Sequence, residues 1–217
     1  MLGGFADAAR ARSADRPPRV CLVVMGDDEE ARDYHEKFLA VLRSVGLDDV
    51  AVQRVPEGSP CPAEALEDLD GLFVGGGPTP EYHASLSPLY ARIRDLVSGG
   101  LPYAGFSAGA AIAATNAIIG GWTMQGRPVC PEESNEDLDD VCVVAGIGLV
   151  PGAIDVHAAQ WGNLSRLVAV VEAGLAPSGT AVDECATLAL PSGTRHGAGA
   201  VWQVDGSAGA TSVTRQA

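Results

Sequence analysis

Residues 103–111 read YAGFSAGAA and set one serine, Ser107, between two glycines, where a strand-like run gives way to an alanine-rich run. On a strand-to-helix turn of this kind, small flanking residues permit a strained backbone, and the serine hydroxyl is exposed. The helix that follows points its first N–H groups at any oxyanion that develops beside the serine. Because the chain has 27 glycines, GxSxG decides little alone, and the rest of the sequence must supply a base and an acid.

Apolar runs and helix-like segments alternate on the way to this turn. Strands are predicted at 19–26, 50–55 and 71–77 and from 101 into the serine turn, and helices at 27–46, 62–69, 82–100 and, after the turn, 110–118. The alternation predicts an α/β fold with a doubly wound, mostly parallel sheet. Ligands of such sheets bind at the carboxyl ends of the strands, where both glycine-rich turns lie.

The second half of the chain has short β-like runs and one helix-like segment, 163–174. The acidic stretch 131–140 is interpreted as a solvated surface loop, placed where it could also reshape the edge of a site. Residues 1–18 are polar and alanine-rich, and we expect a flexible lead-in there. Residues 19–217 are expected to form a single α/β domain, since their length suits one.

The composition excludes several classes of partner. The net charge is -14, and Lys37 is the single lysine. Such a chain repels phosphate backbones and anionic lipids, so we expect neither a nucleic-acid nor a membrane partner. The five cysteines are odd in number and include no CxxC pair, which favours reduced thiols in a cytoplasm. The first residues contain no long apolar stretch, so we expect neither a signal peptide nor an anchor.

A reactive serine needs a base, and the chain has four histidines. His157 follows an apolar segment and precedes a helix-like one, an end-of-strand position where active-site groups collect. His35 is expected on an exposed helix face and His196 in a turn. His83 follows the third predicted strand and could approach the site, but a place on a helix surface is the simpler interpretation.

The base in turn needs a carboxylate to orient it. Asp183 and Glu184 lie between two apolar stretches, where a charge is unfavourable unless it is paired. The order Ser107, His157, acid differs from the serine, acid, histidine order of α/β-hydrolases.

Four segments together resemble the peptidase E and cyanophycinase family of serine peptidases. They read LFVGGGPTPEY, YAGFSAGAA, GIGLVPGAIDVHAAQWGNLSRL and GTAVDECATLAL, and the resemblance covers about residues 19–203. It implies the flavodoxin-like fold of class I glutamine amidotransferases, with a serine on the nucleophile elbow in place of their cysteine.

The resemblance also implies the site residues. Ser107 matches the nucleophile, His157 the histidine that activates it, and Glu184 the third member of the triad. Asp183 and Asp155 are kept as alternatives for the acid.

Two backbone N–H groups, those of Gly77 and Ala108, match the oxyanion hole of the family. Peptidase E-like members hydrolyse short peptides with an N-terminal aspartate, and cyanophycinases cleave β-aspartyl-arginine units. The family uses no metal or other cofactor, and we expect none here. The implied substrate is small and peptide-like, and the protein is expected to be a monomer or a homodimer.

The chain departs from the family at Pro78 and Thr79, where members commonly carry Asn-Thr or Asp-Gln. Proline has no N–H to donate, so aspartyl specificity does not follow from the resemblance. Arg127 and Arg166 are candidate cations for a substrate carboxylate, with a surface or structural ion pair as the alternative for each, and Gln160 is a further candidate substrate-binding residue.

Two other interpretations stay open. A hydrolase or acyl transferase of the same fold could act on a specialised metabolite, which Pro78 and the 131–140 stretch favour. A binding protein could retain the fold without catalysis.

Overall fold

The computed structural model describes residues 2–26, 29–207 and 210–216. The chain forms two compact units, Leu2–Gly109 and Ala110–Ala217. Both combine helices with a sheet, and the parallel pairing predicted from the sequence is present in each. Asp27 and Asp28, the first residues of the helix predicted at 27–46, lie outside the described residues.

From residue 19 onward the first unit alternates helices and strands as the sequence predicts, except that the segment predicted as a helix at 62–69 forms only a 3₁₀ turn. Its elements are α1 (Gly3–Ser13), β1 (Arg19–Met25), α2 (Glu29–Ser44), β2 (Asp49–Val55), a 3₁₀ turn (Ala63–Leu66), β3 (Gly71–Val74), α3 (Thr79–Leu86), a second 3₁₀ turn (Ser87–Leu89), α4 (Tyr90–Ser98), β4 (Tyr103–Gly105) and the short helix α5 (Ala108–Ala111), which continues past Gly109. The strands predicted at 19–26, 50–55 and 71–77 are confirmed.

The four strands of this unit form a parallel sheet in the order β2-β1-β3-β4. That order is typical of flavodoxin-like doubly wound sheets and confirms the predicted fold class. β1 and β3 are buried along almost their whole length, which explains their continuous apolar sequence. Val74 pairs with Gly105, so the two glycine-rich turns leave the sheet at the same carboxyl edge.

Residues 3–13 form a helix instead of part of the flexible lead-in predicted for 1–18. Phe5 packs edge-on against Phe73, and a side chain at Gly71 would contact the Phe5 ring at 2.9 Å. Arg12 donates to the Gly99 carbonyl at 3.1 Å, and Arg10 donates to the Val45 carbonyl. These contacts supply the order that the weakly amphipathic sequence did not indicate.

His35 is buried, which corrects its expected place on an exposed helix face. Its Nε2 lies 3.0 Å from the carbonyl oxygen of Met25, at the end of β1. His35 is therefore part of the packing between α2 and the sheet.

The second unit is mostly β. Its elements are β5 (Ala114–Gly120), β6 (Thr123–Met124), β7 (Arg127–Pro128), a 3₁₀ turn (Glu132–Ser134), β8 (Cys142–Ala145), β9 (Val150–Val156), α6 (Asn163–Glu172), β10 (Ser178–Val182), β11 (Ala186–Ala189), β12 (Thr194–Gly197), β13 (Val201–Ser207) and β14 (Ala210–Gln216). Six of the strands form a sheet in the order β14-β13-β10-β9-β5-β8, and α6 is the helix predicted at 163–174.

The helix predicted at 110–118 is wrong beyond Ala111, because β5 begins at Ala114. Alanine favours a helix in isolation, but β5 pairs in parallel with β9 and antiparallel with β8. Its residues from Ala117 to Gly120 are buried, and this sheet pairing outweighs the local preference.

The acidic stretch 131–140 is less solvated than expected. Its 3₁₀ turn ends at Ser134, which is buried, and the Gly121 N–H donates to the Asn135 carbonyl at 2.7 Å. Across the described residues we find no helix of the length and apolarity that crossing a membrane requires.

Candidate active site

Ser107 lies on the turn between β4 and α5 with a φ of +50°. This left-handed conformation is rare for residues with a side chain and persists only where surrounding contacts impose it. Two hydrogen bonds to the end of β3 do so here. The Phe106 N–H donates to the Val74 carbonyl at 2.9 Å, and the Gly109 N–H donates to the Gly75 carbonyl at 3.0 Å. The geometry is that of a nucleophile elbow.

The glycines around Ser107 are required by close backbone packing. A Cβ at Gly109 would lie 2.3 Å from the Val74 carbonyl oxygen. A Cβ at Gly76 would lie 2.8 Å from Phe106 Cδ1 and 3.0 Å from Ser107 Cβ. The elbow therefore packs directly against the end of β3, and at positions 76 and 109 the space admits only glycine.

Gly109→Ala is expected to lower the free energy of unfolding by roughly 2–3 kcal/mol, because the added methyl group overlaps a backbone oxygen that cannot move freely. The measurement is urea denaturation followed by circular dichroism. Gly4→Ala in α1 is the matched control, since a Cβ there meets nothing within 4 Å. Equal midpoints for the two variants would show that the elbow yields at no cost.

Of the two predicted oxyanion positions, Ala108 directly follows Ser107, and Gly77 directly follows Gly76, which packs against Phe106 and Ser107. Ala108 opens α5, and the N–H groups of a first helical turn have no acceptor within the helix. Gly77 is exposed and has a φ of +151°, which favours glycine. The buried Tyr82 hydroxyl fixes the preceding residue by donating to the Gly76 carbonyl at 3.1 Å, and it accepts from the Met25 N–H at 3.3 Å. Burial raises the pKa of Tyr82, so the hydroxyl stays protonated.

The candidate base His157 and the three candidate acids all lie in the second unit. His157 follows β9 with a φ of +54°, and its Nδ1 lies 3.2 Å from Glu184 Oε1. Glu184 follows β10, and β9 and β10 are parallel neighbours in which Val156 pairs with Val182. Adjacent parallel strands thus bring the imidazole and the carboxylate together at their carboxyl ends. The Glu184 N–H also donates to the side-chain oxygen of Gln160 at 2.8 Å.

Asp183 lies next to Glu184 in the chain but has a different environment. It is buried and accepts hydrogen bonds from the N–H groups of Ala159 at 3.1 Å and Ala200 at 3.0 Å, and from the Trp202 indole at 3.0 Å. Both of its oxygens are therefore engaged in fixing the segments around His157.

Asp155 and Arg166 form a buried ion pair. The guanidinium donates to both carboxylate oxygens, at 2.8 and 2.9 Å, and also to the carbonyls of Gly121 and Ser134. Burial alone would lower the pKa of Arg166, but the attraction of the Asp155 carboxylate outweighs burial and raises this pKa above its usual value. Of the roles considered for Arg166, the structure places it in the structural ion pair, and Asp155 faces Arg166 as its partner.

The other predicted substrate-binding residues differ in their exposure to solvent. Pro78 and Arg127 are exposed, the latter in β7, and Gln160 is exposed beside Glu184. Thr79 is buried at the start of α3. Within the described ranges, no group of three or more His, Cys, Asp or Glu side chains has an arrangement that could hold a metal ion.

Trp161 was not predicted from the sequence. Its indole stacks on the His157 imidazole, with ring centroids 4.0 Å apart and planes 17° apart. The backbone N–H of Trp161 donates to the His157 carbonyl at 2.9 Å. The signal available in the sequence was an aromatic residue four positions after the histidine.

Comparison with known proteins decides the family. The pattern that defines Peptidase family S51 matches residues 7–182. The chain belongs to peptidase family S51. Its S51 relatives include a cyanophycinase of Trichormus variabilis, which is 30% identical over 68% of this chain and 49% of its own length.

A peptidase E of Shewanella denitrificans is 38% identical over 36% of this S51 chain and 34% of its own. The chain thus spans about half or less of the length of these curated relatives. A crystal structure from Listeria monocytogenes, assigned provisionally to peptidase E, superposes with a TM-score of 0.51 over 100% of this chain and 96% of that one. At 13% identity, this likeness concerns the fold alone.

Proposed function

We propose that the protein is a serine peptidase that cleaves a peptide or amide bond of a small, peptide-like substrate. The observation that carries the proposal is the left-handed backbone of Ser107 on a strand-to-helix turn, in a chain of peptidase family S51. Strain of this kind is retained at functional sites because it exposes a reactive side chain. The contact between His157 and Glu184 supports the same activity.

The mechanism assigns one task to each group. Ser107 Oγ attacks the substrate carbonyl, and His157 accepts the serine proton and passes it to the leaving amine. Glu184 orients the imidazole and stabilises the imidazolium. The N–H groups of Gly77 and Ala108 stabilise the tetrahedral oxyanion, and water then hydrolyses the acyl-enzyme with His157 again as the base.

The choice of Glu184 as the acid rests on the bonding of the three carboxylates. Asp183 is engaged by backbone and indole donors, and Asp155 by Arg166. Glu184 is the one of the three whose oxygen lies 3.2 Å from His157 Nδ1.

The substrate class is proposed from the family. Relatives of this chain carry the names peptidase E and cyanophycinase, and the resemblance to that family implies a substrate with an aspartyl residue at the cleaved bond. Pro78 argues for a changed specificity, because it is exposed directly after Gly77 and has no N–H with which to bind a substrate carboxylate. A same-fold hydrolase or acyl transferase acting on a specialised metabolite is therefore the second candidate.

A substrate panel separates these candidates. If aspartyl specificity is kept, we expect Asp-Leu or β-Asp-Arg to be hydrolysed at least about tenfold faster than Leu-Leu. The reason is that charge-assisted hydrogen bonds to the aspartyl carboxylate are lost with Leu-Leu. Product formation is followed by chromatography and mass spectrometry. Equal rates on the three peptides would reject aspartyl specificity, and an unreactive protein that also resists a fluorophosphonate probe would favour a binding function.

We also propose a cytoplasmic location and a monomer or homodimer. The five cysteines are free, and Cys21, Cys61 and Cys130 are buried, which suits a reducing compartment. Burial raises the pKa of Cys21 to about 12 and that of Cys61 to about 11, so both thiols stay protonated and unreactive.

A further inference from the structure

The Trp161 indole covers one face of the His157 imidazole. The two rings are stacked and nearly parallel, with planes 17° apart and centroids 4.0 Å apart. The indole is 46% exposed, so burial of the indole is not what fixes its position. Local hydrogen bonds must hold it instead.

Those hydrogen bonds join Trp161 to the site on one side. The Trp161 N–H donates to the His157 carbonyl at 2.9 Å, which closes the turn from 157 to 161. Within that turn Gln160 accepts from the Glu184 N–H at 2.8 Å. One five-residue turn therefore carries the imidazole, the stacked indole and a contact to the backbone of the acid.

On the other side, Trp161 is held by the acidic stretch. The buried Ser134 hydroxyl donates to the Trp161 carbonyl at 3.2 Å, and the Ser134 carbonyl accepts from Arg166 at 2.8 Å. Pro131 packs on the next residue, since a Cβ at Gly162 would lie 3.0 Å from the Pro131 ring. Residues 131–134 thus support the turn that carries Trp161.

We propose that Trp161 is a positioning residue for His157, and that residues 131–134 hold it in place. The proposal rests on the proposed function of His157 as the general base. With one face of the imidazole against the indole and Nδ1 at Glu184, the ring has one orientation in which Nε2 can serve a serine hydroxyl. The indole face also stabilises the imidazolium that forms during acyl transfer. Glu184 Oε1 lies 3.2 Å from the imidazole Nδ1, while Asp155 on β9 is engaged by Arg166.

The test measures the rate at which a fluorophosphonate probe labels Ser107. In this reaction Ser107 Oγ bonds to phosphorus, fluoride leaves, and the base takes the hydroxyl proton. We expect Trp161→Leu to label about tenfold more slowly than the wild type, and Trp161→Phe within about threefold, because phenylalanine keeps an aromatic face. A wild-type rate for Trp161→Leu, or an equally slow Trp161→Phe, would overturn the proposal.

Ser134→Ala tests the support without touching either ring. It leaves the Trp161 carbonyl without the serine donor, and we expect labelling to slow by about threefold. A rate for Ser134→Ala equal to that of the wild type would overturn the role given to residues 131–134.

Proton NMR of the histidine side chains gives a readout that does not depend on activity. The ring current of an indole stacked on an imidazole shifts the imidazole protons upfield, so those of His157 should be shifted in the wild type. Trp161→Leu should lose this shift, and Trp122→Phe, the matched control, should keep it. If the wild type takes up no probe, the peptidase proposal fails, whereas absence of the upfield shift would overturn the stack itself.

Discussion

Ser107→Ala is expected to lower hydrolysis by about 10⁶-fold and to abolish covalent labelling, because alanine has no hydroxyl with which to form the acyl-enzyme. The fold should survive, since the elbow is held by backbone hydrogen bonds from Phe106 and Gly109 that alanine does not alter. The measurement is product formation from the best peptide of the panel, with intact mass after probe treatment.

The same position links activity to stability. At a φ of +50°, alanine retains the left-handed strain of Ser107, whereas glycine relieves it. Ser107→Gly is therefore expected to exceed Ser107→Ala in free energy of unfolding by about 1 kcal/mol, with both inactive. Ser98→Ala, at an exposed helical serine that bonds to the Asp95 carbonyl, is the control that should keep full activity.

Either of two results would contradict this assignment. Turnover of Ser107→Ala close to the wild-type rate would remove Ser107 from the mechanism. A probe adduct on Ser107→Ala would place the nucleophile elsewhere in the chain.

The elements at the centre of the first unit were predictable because local pattern and burial agree there. β1 and β3 are continuous apolar runs, and in the structure they are covered on both faces. β5 was not predictable from its own residues, since alanine favours a helix and only the distant partners β8 and β9 make it a strand. α1 likewise depends on contacts of Phe5 and Arg12 with residues far along the chain.

The candidate site shows the same division. The glycine neighbours of Ser107 indicated the turn, because that turn is local, but they did not indicate a reactive serine without the base and the acid. Asp183 and Glu184 could not be ranked from their sequence, since adjacent residues point in different directions and their partners lie elsewhere. Trp161 had no sequence pattern of its own, and its role follows only from the stack on His157.

Arg166→Met is expected to lower the free energy of unfolding by about 3–5 kcal/mol, because it leaves the buried Asp155 carboxylate without its partner. The two side chains are only 6% and 3% exposed, so water cannot replace the guanidinium. The carbonyls of Gly121 and Ser134 lose a donor as well. Thermal and urea denaturation measure the loss, which should appear as a fall in Tm of roughly 10 °C.

A double variant separates charge from packing. Arg166→Met with Asp155→Leu removes both charges, so its loss should be clearly smaller than the sum of the two single losses. Asp7→Asn is the matched control, since Asp7 and Arg10 form an ion pair that is 79% and 44% exposed, and such pairs contribute about 1 kcal/mol or less.

The ion pair also connects stability to the site. Asp155, on β9, precedes His157 by two residues. Arg166 donates to the carbonyl of Ser134, and the Ser134 hydroxyl in turn donates to the Trp161 carbonyl. Arg166→Met should therefore slow probe labelling of Ser107 even at temperatures where it is fully folded. If Arg166→Met unfolds at the wild-type midpoint, the prediction is wrong, because the buried Asp155 carboxylate would then not depend on the guanidinium for its stability. If it is destabilised but labels at the wild-type rate, the pair supports the fold and has no part in positioning His157.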